Sequence, residues 1–253
     1  MRLVALLIGV NCFAWTQTAP APVPGTPAQS KAAPEAQQPV AAKSKQPTSE
    51  TLHYLVNWPS GLSLGEATLT SSMANGEWSH SFKVEAAVPG FAVSEAAKSR
   101  ATSDFCALEL HKTGERGKRV VNETTRFDQK SSRATRETSK GGAGGKSELT
   151  IPNCAKDALS YIGFVRKELA TGRLPQSQQV FYGAGYQVRT QFQGTEAIQV
   201  GQQSVSADRI QATIKGPASE IIVDLFFARD DVRTPVRIQV PLTLGKFSME
   251  LSR

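Results

Sequence analysis

The side chains with the most chemistry to offer are few: 3 cysteines and 3 histidines in 253 residues. Cys106 and Cys154 enclose 47 residues, including a glycine-rich stretch. In an oxidising compartment an even pair at that spacing predicts a disulfide, and the alternative is two unrelated buried thiols. No Cys-x-x-Cys occurs, so neither a redox motif nor a four-ligand zinc site is indicated. His53, His80 and His111 fall in separate segments, without the spacing of a helical zinc motif. His80 shares strand parity with Phe82, so it reads as a core histidine. No Gly-x-Ser-x-Gly elbow is present. Ser160 opens a helical segment, where a hydroxyl commonly serves the backbone. Asp230-Asp231 sits between strand patterns, where adjacent aspartates are turn chemistry. Lys140 to Ser147 imitates a phosphate loop, but Lys140 stands where the first glycine belongs and no helix follows. Asn122-Glu123-Thr124 matches a glycosylation sequon by pattern. No catalytic, cofactor-binding or metal site is therefore assigned.

Charge is the remaining chemical feature. The chain has 29 basic and 22 acidic residues, net +7. Residues 98–146 hold 12 of the basic and 6 of the acidic residues, so this stretch carries nearly all the excess. A nucleic-acid surface would interleave aromatics for stacking. Between Lys112 and Lys146 only Phe127 is aromatic, which argues against nucleic acid. Arg116, Lys118, Arg119, Arg126, Lys130, Arg133 and Arg136 are instead the candidates for contact with an anionic surface such as lipid or polysaccharide. A solvated strand face is the plainer reading of the same residues.

The N-terminus sets the expected compartment. Met1-Arg2 precedes an apolar run from Leu3 to Trp15, which has the length of a secretory h-region and is too short to span a bilayer. Residues 1–18 read as a signal peptide, with a possible cut after Ala14; an uncleaved anchor is the alternative. Lipidation at Cys12 is disfavoured because Asn11 precedes it. Residues 19–48 hold 8 Ala and 7 Pro with no aromatic, a composition that reads as a disordered, extended linker. Residues 49–253 remain as a single β-rich domain, large enough to bury a core. An exported, periplasmic or envelope-associated protein is expected.

The elements that position these residues follow from periodicity. Leu52, Tyr54, Val56 and Trp58 alternate with polar neighbours, which predicts a half-buried strand. A second strand lies near 64–72, and Asn75-Gly76 marks a hairpin before a third that carries Trp78, His80, Phe82 and Val84. Residues 91–98 are Ala-rich and permit a helical turn. Strands are expected near 102–111 and 119–129, then a polar loop over 130–147 and a short strand over 147–151. Ala158, Ile162, Val165 and Leu169 have helical spacing, which predicts one helix over about 155–170 capped by Asn153 or Asp157. Strands return near 178–182, 185–193, 196–200, 204–214, 219–228, 234–241 and 243–251. One apolar helix among so many strands needs a surface for its stripe, and the concave side of a curved sheet supplies it. The expected fold is mainly β, a curved antiparallel sheet forming an open barrel or half-barrel with one packed α-helix.

Several short motifs agree with this picture. Tyr54-Leu-Val-Asn-Trp58, Gly61, Gly65-Glu-Ala-Thr-Leu69, Phe127-Asp128, Asp157-Ala-Leu-Ser160 with Arg166, and Asp230 followed by Pro235-Val-Arg-Ile238 occur in this order. Together with the last strand, Gly245 to Leu251, they resemble domain-of-unknown-function family 3108, exported bacterial proteins, over about residues 51–251. The resemblance implies an envelope location and a β-rich fold, and carries no activity. The functional expectation is a non-catalytic binding or carrier module for an apolar or amphipathic, lipid-like ligand. The alternative is a structural or adaptor protein of the envelope that takes another envelope protein as partner. A hydrolase is the third, least favoured reading.

Overall fold

The structure is a computed structural model and describes residues 47–88, 91–116, 119–139, 144–242 and 245–252. The expected signal peptide, nearly all of the linker and most of the glycine loop lie outside the described residues. Strands β1 (Ser49–Asn57), β2 (Ser63–Ala74), β3 (Glu77–Val88), β4 (Phe91–Thr102), β5 (Ala107–Arg116), β6 (Arg119–Asp128), β7 (Arg133–Ser139) and β8 (Gly145–Thr150) form a meander. A two-residue strand β9 (Lys156–Asp157) leads into helix α1 (Ala158–Ala170). Strands β10 (Gln178–Phe181), β11 (Gly185–Val200), β12 (Gln203–Lys215), β13 (Glu220–Ala228), β14 (Pro235–Leu242) and β15 (Gly245–Ser252) form a second meander. One 15-stranded sheet joins them in the order β8-β7-β6-β5-β4-β3-β2-β1-β15-β14-β13-β12-β11-β10-β9. Every pairing is antiparallel except β9 with β10.

The sheet is an open, rolled half-barrel with α1 on its concave side. Its β9–β10 end tucks against the inner face of β5 and β6: Phe181 meets Phe127 edge-on at 5.8 Å, and the Ala107 amide donates to the Ala155 carbonyl at 2.8 Å. Strands β7 and β8 continue past this contact as a flap, and nearly every residue of β8 is exposed. The concave side holds two main apolar clusters. One gathers Tyr54, Leu69, Leu110, Phe127 and Phe181. The other packs Tyr161, Val165 and Leu169 of α1 on Val188, Ile210, Val223 and Leu225.

Four expectations are corrected. Residues 91–98 belong to a continuous strand, not a helical turn. Ala97 and Ala101, 1% and 0% exposed, face inward, and their small side chains let α1 lie close to β4; packing overrides alanine's helix propensity. The 130–147 loop contains β7, which has no apolar periodicity because its outward residues pair charges, as Arg133 does with Glu148. The 185–193 and 196–200 segments are one strand, bulged where Gly194 adopts φ +122°. The helix begins at Ala158, and the two residues before it are sheet.

Candidate functional site

Register places Glu50, Ser71, His80 and Ser99 side by side across the inner face of β1 to β4. This polar row is the track on which α1 sits. Asp157 caps the helix, accepting from the Leu159 and Ser160 amides at 2.8 and 3.1 Å. Ser160 Oγ returns a contact to the Asp157 amide at 3.0 Å, completing a capping box. The Ser99 hydroxyl donates to Asp157 Oδ2 at 2.6 Å, tying the cap to β4. Burial pushes the Asp157 carboxyl above the usual carboxylate range, and these hydrogen bonds oppose the shift.

Two turns on, Arg166 is 3% exposed. Its guanidinium makes a two-pronged ion pair with Glu50, and its Nε donates to the Val232 carbonyl at 2.9 Å. One side chain thus joins α1 to β1 and to the β13–β14 turn. Between these anchors Trp78, His80 and Phe105 cluster with near-parallel rings, Trp78 lying 5.7 Å from His80 and 5.4 Å from Phe105. His80 Nδ1 meets Ser71 Oγ at 2.9 Å. Its Nε2 and the Trp78 Nε1 have no partner among the described residues. Burial, helped by the Arg166 charge, holds the His80 imidazolium down at a pKa of about 4.

The opposite end of the concave side is built differently. Val56, Val84, Ile221, Ile238, Val240 and Met249 face inward there but are only half-buried. Trp58 and Phe247 meet edge-on at 4.8 Å beside them. On the inner side of β5 to β7 lies a buried charged group, covered by the β10–β11 turn at Tyr182 and Gly183. Glu123, only 3% exposed, pairs with Lys112 at 3.2 Å and Arg136 at 2.6 Å. Lys112 Nζ lies 4.1 Å from the centre of the Tyr182 ring, and burial lowers its pKa. Among the described residues no group of three or more metal-ligating side chains converges.

The residues singled out by sequence are dispersed. A disulfide joins Cys106 to Cys154, with Cα atoms 4.5 Å apart. With Gln129, which bonds the Ala107 and Ala155 carbonyls and the Ala155 amide, it clamps the chain ahead of α1 to the start of β5. Of the seven basic candidates, Lys118 and the side chains of Arg116 and Arg119 lie outside the described residues. The other four do not form one surface. Arg126 pairs outward with Glu137 at 3.1 Å, Arg133 pairs outward with Glu148 at 3.4 Å, and Arg136 turns inward to Glu123. Lys130 is exposed in the turn before β7. His53 and His111 lie on the other face of the sheet from His80, against Thr68 and Thr124. Asp230 accepts from the Thr234 amide and hydroxyl, as turn chemistry predicts. The Glu50–Arg166 pair was not legible: 116 residues separate the partners, and a single glutamate in a strand carries no signal.

A half-barrel rolled around one helix defines a class of fold that a solved structure shares. The crystal structure of a beta-barrel-like protein of domain-of-unknown-function family DUF1849 from Brucella abortus is similar, with a TM-score of 0.60 over 81% of this chain and 96% of that one. At 6% identity the likeness is one of fold. The lipoprotein LppX of Mycobacterium tuberculosis aligns over 80% of this chain and 84% of its own at 14% identity, with a TM-score of 0.26. No curated protein matches the sequence. The family model for proteins of unknown function DUF3108 matches residues 53–252, and the chain belongs to that family. Its motif residues Tyr54, Asp157, Ser160, Arg166 and Pro235 can now be given physical roles. Tyr54 donates to the Pro235 carbonyl at 2.8 Å, and the other three hold the helix.

Proposed function

We propose that this is an exported, non-catalytic envelope protein that binds an apolar or amphipathic ligand at the end of the half-barrel left open by α1. One observation carries the reading. The inward apolar residues Val56, Val84, Ile238, Val240 and Met249 are only half-buried. Inward-facing apolar surface that its own chain leaves uncovered is where an acyl chain gains by leaving water, at roughly 0.8 kcal/mol per methylene. Export is supported by the N-terminal apolar run, and the Cys106–Cys154 disulfide fits an oxidising compartment. Among the described residues no helix is long and apolar enough to cross a membrane. A non-catalytic role is supported by the side chain opposite each histidine, which is a hydroxyl and not a carboxylate.

Native mass spectrometry of protein purified from the envelope tests the reading. A lipid-sized adduct, lost in Val240→Glu, is expected; a clean apo mass in both proteins refutes it. The adaptor reading is favoured by a different feature, the exposed edge of β8. It predicts a stable cross-linked partner through that strand and no adduct.

A further inference from the structure

The outer face of β2 to β5 carries a depression of about 410 Å³, within the usual range of ligand sites. Register explains its shape. Thr70, Ser81, Lys98 and His111 lie in one outward row, and Ser72, Ser79, Arg100 and Glu109 in the next. Short hydroxyl side chains on β2 and β3 form a floor, and long side chains on β4 and β5 stand beside it. The β-bulge at Arg100/Ala101 adds local curvature.

The trough combines hydroxyl side chains with cations. On β6 and β7 the outward cations Arg126 and Arg133 are matched by Glu137 and Glu148. Here Lys98 has no carboxylate within ion-pairing distance among the described residues. Arg100 shares its guanidinium with Glu77 at 2.7 Å, at the edge of the trough. His111 uses Nδ1 on Thr124 at 2.9 Å, which leaves Nε2 for a ligand. Glu109 leans 3.9 Å from Arg126. The floor hydroxyls can each donate and accept. A ligand matched to them is rich in hydroxyls itself and carries an anionic group for Lys98 and Arg100.

We infer that this outer trough is a binding site for an acidic saccharide, with Ser72, Ser79 and Ser81 meeting sugar hydroxyls and Lys98 and Arg100 meeting the carboxylate or phosphate substituent. It is independent of the concave side and stands whether or not a lipid binds there. The test uses the disulfide-bonded exported protein, with binding read by calorimetry and by amide chemical-shift changes. The probes are trigalacturonate, maltotriose as the neutral analogue, and inorganic phosphate as the anion alone. Trigalacturonate is expected to bind at least tenfold more tightly than either comparator and to shift amides of β2 to β5. Lys98→Ala and Ser81→Val are each expected to weaken it at least fivefold. Lys246→Ala, which removes an exposed cation on β15, is expected to leave it within twofold. Absence of trigalacturonate binding overturns the inference. So does phosphate binding of equal strength, which would mean an anion site only, and so does an equal loss in the Lys98 and Lys246 variants, which would mean diffuse charge attraction.

Discussion

Lowering the pH should loosen the helix end of the fold through one residue, His80. The unfolded chain protonates this imidazole near 6.5, whereas the folded protein holds it neutral down to about 4. The folded pKa lies below the unfolded one, so the unfolded state takes up the proton first. The neutral-histidine fold is at full strength above about pH 6.5 and loses stability as the pH falls toward 4. A shift of that size corresponds to about 3 kcal/mol. For a folded body of about 200 residues that is roughly 6–12 °C in melting temperature. Other groups titrate in the same range. Asp157, whose carboxyl is pushed up by burial, works in the opposite direction and gains stability as the pH falls. His80→Phe isolates the effect, because a phenyl ring keeps the stack with Trp78 and Phe105 and has no proton to gain. Chemical denaturation at pH 7 and pH 4 should show the wild type losing about 3 kcal/mol more than the variant. Imidazole resonances followed by NMR should place the His80 titration near 4. Equal losses in the two proteins, or a His80 midpoint near 6.5, would show that the ring is not held neutral by burial and by Arg166.

Other perturbations follow from named contacts. Breaking the Cys106–Cys154 bond by double serine substitution should cost about 4 kcal/mol on the loop-entropy model, read as a lower denaturation midpoint that added reductant does not shift further. Arg166→Met should cost about 3–5 kcal/mol, because Glu50 is left as an uncompensated charge at the helix interface. The double variant Glu50→Gln/Arg166→Met should recover part of that loss in a thermal melt. Gly163→Ala would normally favour a helix. Here an added Cβ falls 2.4 Å from Phe105 Cε1, so the variant should instead be less stable by about 1–3 kcal/mol in urea titration.

The parts of the fold that showed in the sequence were those with one wet and one dry face. Leu52, Tyr54 and Val56 alternate because β1 buries one side only, and Asn75-Gly76 punctuates the β2–β3 hairpin with φ of +52° and +79°. The helix showed through Val165 and Leu169. Where a strand lacks that contrast, the signal failed. On β7 Thr135 and Glu137 look outward and Arg136 looks inward to Glu123, so both faces read as polar. On β4 two of the inward residues, Ala97 and Ala101, are alanines, which lets α1 lie close. The helix anchors were legible only as isolated types. Asp157 was a candidate cap, but that Ser99 would reach it across 58 residues depends on register across β3 and β4, which local pattern does not encode. The spread of the basic stretch over both faces depends on the same register.

All strand pairs in the sheet join sequence neighbours except one, β1 with β15, where His53 lies opposite Ser252. Each meander can form from local hairpins, with short loops to close and little chain entropy to overcome. The seam between them brings together residues 199 apart and waits for the final strand to be made. Until β15 is available, β1 and β14 each expose an unpaired edge and the concave side is unsealed. Closure of the half-barrel therefore depends on one pairing of widely separated segments, and deleting β15 should leave both meanders formed but unsealed.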